Sequence, residues 1–314
     1  MLKHYSRSPS YLVVLVSLAV SLTLSTTSLA IPSNASDSSK KISPIKQAKD
    51  YAIHGKVELA KAILDKILAK EPNNAEAWYL LGYVYQDMSI MDGGIKKAKD
   101  CYIKTISIDP GFGEAFRKLG EVAAIDGNWT EAIAFYNKAL AAKSPDKRAY
   151  KNRAIAKSNM HQDKAALADF ELYRKEMPQL ANGPKGMDEY ASFLENAGCY
   201  DQAIKTIEIL EKTDHRSSLP VRRAKYLVKA GKTSAGIAIL NNMIAKEPED
   251  ETLYADRANI FASAGKLQEA LKDWDKVIEL VPTSKYYESR AAVHNKLGNK
   301  QKAKADLIKA QERN

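Results

Sequence analysis

Six prolines set a beat. Pro72, Pro110, Pro145, Pro178, Pro248 and Pro282 recur at intervals of 38, 35, 33, 70 and 34 residues, the 70 being two units of 35. Glycines keep the same period half a unit out of step: Gly198, Gly231, Gly265 and Gly298 are 33, 34 and 33 residues apart, with Gly55 and Gly127 earlier. A fixed repeat of this length restricts a chain to architectures that stack one small unit many times. The apolar residues say which unit. Tyr254, Arg257, Ala258 and Phe261 fall at i, i+3, i+4 and i+7, and after Gly265 the residues Ala270, Trp274, Val277 and Ile278 keep the same rhythm, the spacing of an amphipathic helix. Glycine supplies the positive φ of a reversal between two antiparallel helices, and proline stops the second helix by removing an N–H and clashing with the preceding turn. A single pair cannot bury both of its apolar stripes, so each pair must close against the next.

Trp78, Leu81, Gly82 and Tyr85, then Ala98, Tyr102 and Pro110, follow the pattern W-x2-L-G-x2-Y…A-x3-F…P, and on these residues the chain resembles the tetratricopeptide repeat proteins. The pattern recurs in Ala48, Tyr51, Gly55, Ala60 and Pro72, in Phe116, Leu119, Gly120, Ala132 and Tyr136, in Tyr150, Ala154, Ala166 and Phe170, and on to Tyr287, Ala291, Gly298 and Ala303. The resemblance implies an all-α fold, a right-handed superhelical solenoid of antiparallel helix pairs with about eight repeats over residues 43–314. Three departures stand out: Gly236 where the pattern has alanine, His161 in place of a turn glycine, and four extra residues around Met88 to Gly94. Ser43-Pro44 reads as an N-cap and first-turn proline opening the first helix.

The resemblance also implies a function. The first helices of successive units line a concave groove that holds an extended peptide or protein segment, as an adaptor, scaffold or assembly factor. The groove-facing positions it picks out are Tyr79, Tyr83, Gln86, Arg117, Arg148, Lys151, Asn152, Lys185, Lys225 and Lys229, a mildly basic surface interrupted by Asp188 and Glu195. Some family members hold a partner's C-terminal carboxylate there. Asn152, Lys185 and Arg117 match or replace three of the positions used, but Glu121 and Glu189 stand at two others and would repel such a group, so that clamp is expected to be absent.

Chemistry of other kinds finds no residues. The five histidines share no ligand spacing, two cysteines among 314 residues exclude a four-thiol metal centre, and Cys101 and Cys199, three repeats apart, read as free thiols. Gly231-Lys232-Thr233 lacks the glycine five residues earlier that a phosphate loop needs, Tyr226 standing there, and Gly111-x-Gly113 lacks the third glycine of a dinucleotide fingerprint. The reading is of a protein that is not an enzyme, with no cofactor. The 48 Lys and Arg against 38 Asp and Glu leave a net charge of +10, spread along the chain, and no nucleic-acid partner is expected. The one local excess is at residues 285–314, where eight cations face Glu288, Asp306 and Glu312. It reads as a solvated cap on the last helices. The alternative is a membrane-tethered scaffold touching an anionic surface or envelope polymer there.

Residues 1–30 carry Lys3 and Arg7, then an apolar run from Tyr11, and end in Ser28-Leu29-Ala30, the layout of a secretory signal peptide cleaved near Ala30. Export to a periplasmic or secreted location is expected, an uncleaved N-terminal anchor being the alternative. Residues 31–42, rich in serine, read as a flexible linker. Asn34 and Asn128 open glycosylation sequons that matter only in a eukaryotic secretory route.

Overall fold

The helices start and stop where the proline and glycine spacing predicts. The computed structural model describes residues 42–87 and 93–313; the leader, the linker up to Lys41 and Met88 to Asp92 of the enlarged turn lie outside them. Seventeen helices run through the described residues. In pairs they are α1 (Pro44–Ile53) and α2 (Val57–Lys70), α3 (Ala75–Asp87) and α4 (Gly94–Ile108), α5 (Gly113–Ile125) and α6 (Trp129–Ala141), and α7 (Ala149–Asn159) and α8 (Asp163–Glu176). After a short α9 (Pro178–Ala181) come α10 (Pro184–Asn196) and α11 (Tyr200–Leu210), α12 (Ser218–Lys229) and α13 (Thr233–Lys246), α14 (Glu251–Ser263) and α15 (Leu267–Leu280), and α16 (Ser284–Lys296) and α17 (Lys300–Gln311).

Local chemistry explains the boundaries. The Ser43 hydroxyl accepts from the Lys46 backbone N–H at 3.4 Å ahead of Pro44, capping α1 as expected. The turn glycines take φ from 66° to 80°, and His161, which stands where the other pairs have a turn glycine, is forced to φ 58°, a left-handed conformation costing a residue with a Cβ about 1–2 kcal/mol. Pro178 does more than end α8: it opens α9, an extra turn absent from the repeat pattern.

The pairs stack in single file. Each helix packs on its pair partner and on the helix that follows, and first helices touch the next first helix, as α1 touches α3, α5 touches α7 and α12 touches α14. The pattern alanines Ala60, Ala98, Ala132, Ala166, Ala203, Ala270 and Ala303 are all buried at these contacts. Gly236 replaces one of them for a steric reason. A Cβ there would meet the Ala224 carbonyl oxygen at 2.7 Å and the Val228 side chain at 3.0 Å, so α12 and α13 approach more closely than alanine permits.

The pairs close in two chemically different ways. Where the first helix carries Leu-Gly, as at Leu81-Gly82 and Leu119-Gly120, the rings of Tyr102 and Tyr136 press onto the bare glycine. On α7, α14 and α16 an Arg-Ala arginine grips an aspartate sixteen residues later through two parallel bonds: Arg153 to Asp169 at 2.6 and 2.7 Å, Arg257 to Asp273 at 2.7 and 2.8 Å, and Arg290 to Asp306 at 2.7 and 2.9 Å. All three aspartates are buried, so the bidentate geometry is what makes their charge tolerable. A further N–H of each arginine reaches the preceding second helix, at Asn137, Asn241 and Asp275 respectively. One side chain thereby ties two units together. Helical spacing alone sets Arg257 among the packing residues without a partner; the available signal is the recurrence of Arg-Ala with an aspartate sixteen residues later.

His294 is buried, with no partner for Nδ1 among the described residues. Burial lowers its pKa. Cys101 is buried and Cys199 half-buried, both free thiols, and burial pushes the Cys101 thiol up to about 12.

Candidate partner-binding face

The sequence-predicted groove residues all lie on or beside first helices, but the structure pairs most of the polar ones with carboxylates of neighbouring units. Consecutive first helices are cross-linked by polar contacts. Arg148, just before α7, donates to Glu114 of α5 at 2.7 Å, and Asn152 of α7 donates to Glu121 of α5 at 2.9 Å. Lys151 of α7 pairs with Glu189 of α10 at 2.6 Å. Arg222 of α12 pairs with Asp188 of α10, and Lys229 of α12 pairs with Glu195 at 2.8 Å. Lys225 pairs with Asp256 of α14 at 2.7 Å. The expected mildly basic surface is therefore corrected. Arg148, Lys151, Lys225 and Lys229 each spend their charge on a carboxylate one unit away, and the row from α5 to α14 neutralises itself.

Two candidates leave the face altogether. Tyr79 is 8% exposed, packed against the rings of Phe112 and Tyr102 with centroids 5.1 and 5.9 Å away, and burial pushes its pKa up. It is a core residue, because α4 and the turn at Phe112 close over it. Arg117 is 5% exposed and sits in a buried ionic node. Its Nε donates to Asp146 at 2.5 Å and its Nη1 to Glu121.

That node settles the roles of the acidic residues too. Glu121 also accepts from Lys118 at 2.9 Å, so three donors from Arg117, Lys118 and Asn152 surround one carboxylate. A group expected to repel a partner's carboxylate is itself held as one. Burial pulls the Glu121 carboxyl up, but the Arg117 and Lys118 charges outweigh it and hold the pKa below the usual range. At Asp146 burial is likewise outweighed, there by the hydrogen bond from Arg148 and the Arg117 charge.

What remains accessible lies at the two ends of the row and at Lys185 of α10. Tyr83 is half-buried, with the Lys118 ammonium 5.2 Å from its ring centre. Gln86, also half-buried, accepts from the Tyr102 hydroxyl at 2.9 Å, which leaves its amide N–H groups to offer. Lys185 is exposed and in no ion pair among the described residues. Beyond Asp256 the register of Lys225 and Lys229 continues in Asn259 and Ser263, then Ala292 and Lys296, all exposed. This stretch, small and mostly uncharged, had not been singled out from the sequence. Among the described residues no group of three or more His, Cys, Asp or Glu side chains converges as a metal site requires, and no helix is long and apolar enough to cross a membrane.

A tetratricopeptide repeat model matches residues 63–100, and a second model of the same repeat matches residues 93–147 and 221–285. Among solved structures the chain is similar to the crystal structure of PilW, described as a widely conserved type IV pilus biogenesis factor (21% identity, 67% of this chain and 94% of that one, TM-score 0.51). It is similar to the Naa15/Naa10 structure bound to HypK-THB (16% identity, TM-score 0.52), spanning 80% of this chain but only 38% of that one. It is also similar to Pseudomonas aeruginosa pilF (20% identity, 64% and 90% covered, TM-score 0.50). At these identities the likeness is one of fold. No curated protein sequence matches the chain.

Proposed function

Because this chain belongs to the tetratricopeptide repeat proteins, a family of protein-interaction and scaffold modules that are generally non-catalytic, we propose that its first-helix row holds an extended peptide or protein segment. The observation that carries this reading is the self-neutralised row from Glu114 to Asp256. Charge already paired within the protein gives a ligand little to attract, while each exposed ion pair contributes only about 0–1 kcal/mol to the fold. Recognition then falls to hydrogen bonds and apolar contact: the Tyr83 ring, the Gln86 amide, and the Asn259 and Ser263 side chains. Tyrosine suits this because it offers a wide amphipathic surface with few rotatable bonds.

The reading is tested by screening the full chain against an array of extended peptides and titrating the best binder at about 0.05 and 0.5 M salt. Tyr83→Ala with Asn259→Ala should weaken binding about tenfold at unchanged thermal midpoint, and the affinity should change less than about threefold with salt. A ligand lost steeply with salt, or bound equally by the double variant, would defeat the proposal.

Export is part of the same proposal. The basic start, apolar run and Ser28-Leu29-Ala30 ending support it, and N-terminal sequencing of the protein from an exporting host should find a chain beginning near Ile31. An intact Met1 would point to the anchored alternative.

A further inference from the structure

Helix α17 carries a cluster of lysines without ion-pair partners among the described residues. From α5 to α14 most cations of the first helices find carboxylates on neighbouring units. On α17 they do not. Lys300, Lys302 and Lys304 are exposed and form no ion pair among the described residues. The one acid on this helix, Asp306, is 4% exposed and taken by Arg290, which also takes Asp275 from α15. Farther along, Lys309 and Arg313 lie 5.8 and 5.4 Å from the ring centre of Tyr287, so an aromatic face rather than a carboxylate steadies them.

Apolar surface accompanies this charge. Ala303, Asp306 and Ala310 mark the inward face of α17. Leu307 and Ile308 are left 43% and 47% exposed. At 100° per residue they bracket a sector that also contains Lys300, Lys304 and Gln311. Two aliphatic side chains thus stand among lysines whose long stems can lie along an apolar boundary while their ammonium groups stay in the polar layer. This combination is what a helix lying in the interface of an anionic bilayer requires.

We propose that α17 is a docking face for an anionic lipid surface, independent of the first-helix row and distinguished from it by salt dependence. Complementarity of charge selects the partner's sign. The paired exposure of Leu307 and Ile308 selects a lipid over an acidic polymer, which would use the lysines alone.

Co-sedimentation of the full chain with phosphatidylcholine vesicles, with and without phosphatidylglycerol, tests this. Residues 1–30 are common to every variant, so their contribution cancels in the comparison. Wild type should prefer the anionic vesicles and lose that preference at about 0.5 M salt. Lys300→Gln with Lys304→Gln should lower partitioning about 30-fold, from a cost of about 1 kcal/mol per lysine. Leu307→Ser with Ile308→Ser should lower it several-fold at both salt concentrations, and circular dichroism should find both variants folded, since all four side chains are exposed. A lysine variant that binds like wild type, equal binding to neutral and anionic vesicles, or serine substitutions without effect while poly-glutamate binds as tightly as vesicles would each overturn the proposal. Should the lysine variant lose helicity, the serine variant and the salt series decide alone.

Discussion

Replacing Arg117 by methionine should destabilise the protein by about 3 kcal/mol. Methionine matches the arginine stem in length, so packing is largely retained. What is lost is the charge between two carboxylates: Asp146, itself 5% exposed, and the partly buried Glu121. Removing one partner of a buried pair leaves the other desolvated without compensation, whereas removing both is far cheaper. Arg117→Met with Asp146→Leu should therefore recover part of the loss, and urea titration of the two single variants and the double measures the coupling.

Acid supplies an independent readout. The folded-state pKa values of Asp146 and Glu121 lie below their usual values. Their contribution is therefore present above the unfolded carboxylate range near pH 4 and is lost as pH falls through the folded values. Without Arg117 those pKa values rise toward normal and the acid-induced fall in stability flattens. An Arg117→Met protein as stable and as acid-sensitive as wild type would refute the node.

Tyr79→Ala should cost about 3–4 kcal/mol, the range for emptying a buried aromatic site, while Tyr83→Ala, one turn away, should cost less than about 1 kcal/mol. The two are alike in sequence terms, tyrosines four residues apart beside the Trp78, Leu81 and Tyr85 stripe. They differ because Phe112 and Tyr102 close over Tyr79 and leave Tyr83 only half covered. Thermal unfolding of the pair separates them. If Tyr79→Ala unfolds no earlier than Tyr83→Ala, the packing described at the α3–α5 junction is wrong.

Most of the helix pairing was legible in the residues. Ser43-Pro44, the glycines at φ near 75° and the prolines just past α2, α4 and α6 act within a few residues of their own position, so their meaning needs no knowledge of neighbours. The buried alanines were legible for the same reason, because a helix contact of fixed period selects a small side chain each time. Gly236 was legible as small but not as obligatory: the 2.7 Å approach to the Ala224 carbonyl is a property of how α12 meets α13.

The candidate face was harder. A lysine on a first helix looks like a basic groove residue until the helix one unit away is placed beside it, and Lys151 with Glu189 or Lys225 with Asp256 are 38 and 31 residues apart. Sequence by itself determined the paired helices and their single-file order, since turn geometry, helix termination and close-packed alanines are written within one period. Only the tertiary structure decided which charges are spent inside the protein and which, like those of α17, still face outward, because Coulomb attraction acts across the rotation and offset between units, and no local pattern records those.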